Sequence, residues 1–190
     1  MTNTLLAYKQ LDCTNTTIIS SKIYNFLKEE TNLLTSGVIG WQFIDSKQLL
    51  KFVPELMTFF IEHKLAVRNA AVTILYETGQ LPLHIDELPV IAKINFPVSN
   101  TEGWVNRWYS ISQDKLDLAH TIINQFDKSV PDLSTLSLEY FTLISELHNM
   151  NTPIVFNSRI PHDVVKTTAT TVPRIVASFT FHNEPIELLK

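Results

Sequence analysis

His84 and Asp86 stand one residue apart in LPLHIDELPV. If the backbone there is extended, the imidazole and the carboxylate project from one face, because alternate residues of a strand point the same way. A second imidazole, His162, follows in NSRIPHDVV. Two imidazoles and one carboxylate form a donor set that holds iron(II) and leaves other coordination positions open. Arg174 opens the alternating run RIVASFTF, where it shares a face with Val176, Ser178 and Thr180. Buried there, a guanidinium needs an anionic partner, since an unpaired buried charge is costly, and its planar fork suits a carboxylate. On a surface edge it needs none. Between these pieces, VIAKINFPV puts Lys93 and Asn95 on one strand face. They form either a solvent-facing stripe or, inside a barrel, two polar groups converging on an anion.

Taken singly these features are weak. In a chain with six histidines, one His-x-Asp is a common coincidence of composition. Pro161 restricts Ile160 to an extended shape and sets His162 at a strand start on the rim of a sheet, where a lone histidine is often merely exposed. The order His84, Asp86, His162, Arg174 is what gives the four their weight.

The elements that must position them change character along the chain. Residues 4–10 alternate as an edge strand, Ser20 or Ser21 is placed to cap a helix through about Glu30, and residues 37–43 read as a short strand. Asp45 and Ser46 offer an N-cap for a helix to about His63, with Leu49, Phe52, Val53, Leu56, Met57 and Phe60 on one 3.6-period face. Pro54 inside that span implies a kink or a late start. From Val67 the texture turns to short β-rich runs: 67–76, 81–86, 90–98, 104–112, 137–144, 152–157, 162–166 and 174–181. Residues 114–127 fit helix and strand equally. Many short strands suggest a sandwich or jelly roll. The expected fold is mainly β, a double-stranded β-helix of cupin-like type over 67–182, buttressed by a mostly helical segment 1–66, all in one domain.

Composition narrows the function classes. A chain of 190 residues with 45% hydrophobic and 18% charged residues is an ordinary globular chain long enough for a sizeable core. A net charge of −4 argues against a general nucleic-acid binder. Cys13 is the only cysteine, which rules out an internal disulfide, speaks against structural zinc, and makes a reducing cytoplasm the simplest compartment. MTNTLLAYKQLD lacks the features of a signal peptide, and no apolar run reaches membrane-spanning length. There is no Gly-x-Ser-x-Gly elbow, and four glycines make no phosphate-binding loop.

His84-x-Asp86, His162 and then Arg174 twelve residues on together resemble the signature of the Fe(II)/2-oxoglutarate-dependent dioxygenase superfamily, over roughly Val67 to Phe181. The run HIDELPVIAKINFPV is similar to the aspartyl/asparaginyl β-hydroxylase-like branch, with Lys93 and Asn95 where that branch typically has Arg and His. Thr73 stands where the branch has a small hydroxyl residue. Asp86 is a departure, because the founding branch lacks the acidic ligand; so is Val176, where many members carry Ser or Thr. The resemblance implies Fe(II) held by His84, Asp86 and His162. It also implies 2-oxoglutarate gripped by Arg174 with help from Thr73, Asn95 and Lys93, and a hydroxylase using molecular oxygen. An amino-acid side chain, a free amino acid or another small molecule would be the substrate. Trp104, Arg107, Trp108 and Tyr109 would line the entrance, or else pack in the core; loop 99–103 and segment 113–136 would form its lips. Two rivals stay open: a cupin-like metalloprotein acting without 2-oxoglutarate, and a non-catalytic binding module on the same barrel.

Overall fold

Alternation in the β-rich half builds two antiparallel sheets in the computed structural model, which describes residues 6–76, 80–86, 89–121, 133, 136–169 and 171–190. The strands are β1 Tyr8–Gln10, β2 Gly40–Ile44, β3 Val67–Leu75, β4 Leu81–His84, β5 Ala92–Ser99, β6 Trp104–Ser110, β7 Thr142–His148, β8 Ile154–Asn157, β9 His162–Lys166 and β10 Arg174–Phe181. A six-stranded sheet has the order β1-β8-β5-β10-β3-β2, and a four-stranded sheet the order β4-β9-β6-β7. Residues 4–5 of the expected first strand and 122–127 of the ambiguous segment lie outside the described residues; Gln113–Thr121 is helical, α4.

The helices arise where the 3.6-residue period predicts them, with shifted ends. Helix α1 spans Thr16–Glu29 and buries Ile19, Ile23, Phe26 and Leu27. It starts before Ser20, which therefore caps nothing and instead donates from Oγ to the Pro97 carbonyl of β5. Asp45 does cap: its Oδ1 accepts from the Lys47 and Gln48 amides at 2.9 and 3.1 Å. The expected long helix breaks at Pro54 into α2 Ser46–Phe52 and α3 Pro54–Glu62, because proline cannot donate the interior hydrogen bond but suits a first turn. Lys22 of α1 forms an ion pair with Glu55 of α3. Among the described residues no helix is long and apolar enough to cross a membrane.

These helices cover one face of the larger sheet. Ala70, Val72 and Ile74 of β3, Ile94 and Phe96 of β5, and Ile175, Ala177 and Phe179 of β10 join the α1–α3 apolar face in the main core. Phe60 meets Phe179 and Phe181 edge-on, with centroids 5.0 and 5.2 Å apart, a geometry that adds about 0.5–1.5 kcal/mol per pair beyond burial. Strand alternation then obliges Thr73, Lys93, Asn95, Ser178 and Thr180 to point the other way, into the space between the sheets. Trp108, Ile154, Phe156 and Val176 form a second apolar cluster there.

Most expected strand ends shift by one or more residues, two of them with consequences for nearby residues. β4 ends at His84, so Asp86 lies past the strand rather than within it; its amide donates to Ser158 O at 2.9 Å and its carbonyl accepts from Arg159 Nη1. The run expected as a strand over 137–144 begins as a 3-10 turn, Leu138–Tyr140, and pairs only from Thr142 to His148.

Candidate metal centre and cavity

The two histidines come from adjacent strands. β4 pairs with β9 so that His84 and His162 are register partners, and their rings lie 4.3 Å apart between centroids. His162 is buried, at 8% exposure, not left on a rim. Each ring is oriented by its own backbone: His84 Nδ1 lies 2.7 Å from the Pro82 carbonyl, and His162 Nδ1 2.8 Å from that of Ile160. A carbonyl only accepts, so Nδ1 carries the proton in both rings and the Nε2 lone pairs are left to coordinate. A donor bond from the second ring nitrogen to a fixed acceptor is the usual support of a metal-binding histidine.

Asp86 meets them from the loop after β4. Its Oδ1 is 2.7 Å from Lys93 Nζ. Its Oδ2 is buried without a hydrogen-bond partner and sits 3.9 Å from His162 Nε2. The ligand atoms of His84, Asp86 and His162 all lie within 4.8 Å of one another. Burial, helped by the neighbouring His84, pushes the His162 pKa down to about 3, so that ring is neutral. Burial alone would raise the Asp86 carboxyl, yet the charge and the hydrogen bond of Lys93 hold it below its usual value. Two imidazole Nε2 atoms and an ionised carboxylate with a bare buried oxygen suit a divalent cation with positions left open.

Arg174 is at the start of β10, 2% exposed. Its Nη2 donates to Asn106 Oδ1 at 3.2 Å, and its Nε is buried without a partner. No carboxylate among the described residues pairs with it, and burial pushes its pKa down to about 10. The Trp104 ring lies 5.8 Å from the guanidinium. Asn106 Nδ2 is a further buried donor without an acceptor. Thr73 is buried on β3, opposite Val176 of β10 and two residues from Leu75, the register partner of Arg174. This corner offers donors and positive charge in excess of acceptors.

A cavity of about 680 Å³ between the sheets is lined by His84, Asp86, His162, Lys93, Asn95, Thr73 and Asn106, among others. Lys93 and Asn95 are thus interior groups rather than a solvent stripe. Asn95 Oδ1 accepts from Ser178 Oγ at 2.6 Å, and Lys93, read from the sequence as a cosubstrate contact, is engaged with Asp86. The expected aromatic entrance is rearranged. Trp104 is fully buried and does not line the cavity, whereas Trp108 does and stacks on Tyr8 at 4.5 Å. Arg107 and Tyr109 alternate with Trp108 along β6 and bind Asp163: Arg107 Nε and Nη2 at 2.9 and 2.6 Å, Tyr109 Oη at 3.2 Å. The exposed aromatic wall is instead Trp41 and Phe43 of β2, 45% and 64% exposed, with rings 4.2 Å apart. Two aromatics at alternate positions of GWQFI were the signal for it. The Trp41 ring also lies 6.0 Å from Lys93 Nζ.

No family model matches the chain, and no curated protein matches it by sequence. Its fold is similar to that of HygX from Streptomyces hygroscopicus with iron bound, at a TM-score of 0.56 and 9% identity over 92% of this chain and 81% of that one. HygX with nickel and 2-oxoglutarate bound gives 0.50 at 8% identity, over 92% and 82%. A Pseudomonas putida prolyl-4-hydroxylase gives 0.50 at 9% identity, over 94% of both chains. At such identities the likeness is one of fold alone.

Proposed function

We propose that this chain is an Fe(II)- and 2-oxoglutarate-dependent oxygenase that hydroxylates an amino-acid side chain or a small molecule. Its two sheets would then be the halves of a double-stranded β-helix, and the aspartyl/asparaginyl hydroxylase-like branch is favoured by HIDELPVIAKINFPV. The observation that carries the proposal is Arg174, a buried guanidinium with no acidic partner among the described residues, in the fold that also assembles the His84–Asp86–His162 cluster. A buried cation of this kind calls for an anion from outside the chain, and 2-oxoglutarate has a carboxylate at each end. The fold shared with HygX, crystallised with iron and with nickel and 2-oxoglutarate, supports the same choice.

In this reading His84, Asp86 and His162 hold the iron. Arg174 grips the distal carboxylate of the cosubstrate, with the Asn106 amide and the Thr73 hydroxyl orienting it, while Asn95 borders the other end. The iron–cosubstrate pair supplies the oxidising chemistry: oxygen is consumed, 2-oxoglutarate goes to succinate and carbon dioxide, and a substrate C–H becomes C–OH. Trp108, Ile154 and Phe156 keep the inner wall apolar and exclude water. Trp41 and Phe43 offer a flat seat at the open side, suited to a ring or an aliphatic chain.

The test is optical. Anaerobic protein loaded with Fe(II) and then 2-oxoglutarate develops a weak visible charge-transfer band, absent in Asp86→Ala and Arg174→Ala. Iron binding without the band would move the assignment to a cupin-like metalloprotein working without 2-oxoglutarate. No iron binding would end the oxygenase reading.

A further inference from the structure

We infer that Lys93 is a positioning residue of the metal centre, holding Asp86 to one-oxygen coordination. The inference rests on the reading of the cluster as an iron site. Lys93 Nζ occupies Oδ1 of Asp86 at 2.7 Å, while Oδ2 is the oxygen left bare and turned toward His162 Nε2. The ammonium is confined: its side chain is 13% exposed, and the Trp41 ring stands 6.0 Å away. The carboxylate is fixed from behind as well, by the bonds of its backbone to Ser158 and Arg159. Offering both oxygens to a cation would set the cation in competition with Lys93 for Oδ1.

Counting positions shows why this matters. A carboxylate binds a cation through one oxygen or two. On a six-coordinate ion, two imidazoles and a two-oxygen carboxylate leave only two positions, all of them consumed by a chelating 2-oxo acid. Held to one oxygen, Asp86 leaves three, so one remains open after the cosubstrate has bound. A carboxylate two residues from a histidine does not specify this choice; the lysine does. It also sets Lys93 apart from Arg174, which has no acid to hold among the described residues.

The test uses the Ni(II)-loaded protein, so that no turnover is needed. Crystal structures of wild type and Lys93→Met should show Asp86 bound through Oδ2 alone with Lys93 on Oδ1, and then through both oxygens in the variant. In solution, 2-oxoglutarate should still bind the Ni(II)-loaded Lys93→Met protein, where two positions remain, but azide should no longer add to that complex as it adds to the wild type's. Lys93→Arg, which can again donate to Oδ1, should restore azide uptake. Lys93 found on a cosubstrate carboxylate in the loaded wild type, or one-oxygen coordination persisting in Lys93→Met, would overturn the inference and leave the iron assignment standing. If the wild type binds no Ni(II) or Fe(II) at all, the oxygenase reading falls and takes this inference with it.

Discussion

His84 and His162 face each other across the β4–β9 ladder as register partners, ring against ring, each with Nδ1 committed to a carbonyl two residues upstream. Among the described residues no hydrogen bond links the two Nε2 atoms, and Asp86 Oδ2 beside them has no partner. A cation shared by all three would join groups that are otherwise left unsatisfied.

Metal should therefore stabilise the fold. With free metal at one hundred times its Kd, binding contributes about 2.7 kcal/mol, or roughly 5–10 °C in Tm for a domain of this size. Stripping with a chelator should reverse the gain, and His162→Ala should show none. Calorimetry of the stripped and reloaded protein checks it; equal Tm values with and without metal would remove the cation from the site.

Arg174 should cost stability when nothing is bound. The double variant Arg174→Met/Asn106→Leu removes the buried charge together with its one hydrogen-bond partner, leaving neither unsatisfied. Replacing buried ionic groups by apolar ones of similar size is neutral or stabilising by about 1–4 kcal/mol. The metal-loaded double variant should melt no lower than wild type and gain nothing further from 2-oxoglutarate, whereas wild type gains several degrees. A lower Tm in the variant would show that the arginine serves the fold.

Trp41→Ala and Phe43→Ala should separate substrate handling from everything else. Both side chains are exposed on an edge strand, so stability should change by no more than about 0.5 kcal/mol. Metal and 2-oxoglutarate binding should stay at wild-type levels. Substrate-stimulated succinate formation should fall at least tenfold, mostly through KM. Unchanged stimulation would mean that the substrate enters elsewhere.

Tyr109 gives the protein a weakness at high pH. Burial, and then the Asp163 charge, push its phenol up to about 12, above the unfolded value of about 10. A raised pKa means that the folded state holds the proton more tightly, so the contribution is whole below pH ~10 and is lost as pH rises toward ~12. Alkaline unfolding followed by circular dichroism should show wild type losing more stability across that window than Tyr109→Phe. Parallel curves would refute it.

The site was more legible in the sequence than the entrance to it. His84, Asp86, His162 and Arg174 have types and order that carry chemistry, and β10 shows its two faces in plain alternation. The apolar period of α2 and α3 and the proline between them were equally readable. Trp41 and Phe43 stood out only as two aromatics in alternation; their place beside the cavity was hidden, because it depends on β2 pairing with β3 across some thirty residues. For Trp104 and Trp108 entrance and core both stayed open, because burial is decided by the sheet that faces them. The Lys93–Asp86 contact depends on where β5 runs relative to the end of β4, which no local pattern encodes.

The strand order has a further consequence for how the protein comes into being. β10, made after every other described strand, lies between β3 and β5 in the middle of the larger sheet, and it carries Arg174. Until it emerges, β3 and β5 have no ladder joining them, and the aromatic core around Phe179 is open. A ribosome-bound chain ending before β10 thus exposes two unpaired strand edges, the hazard that such non-local sheets present during folding. Pulse proteolysis of stalled chains should find resistance arriving in one step, once residue 181 has cleared the exit tunnel.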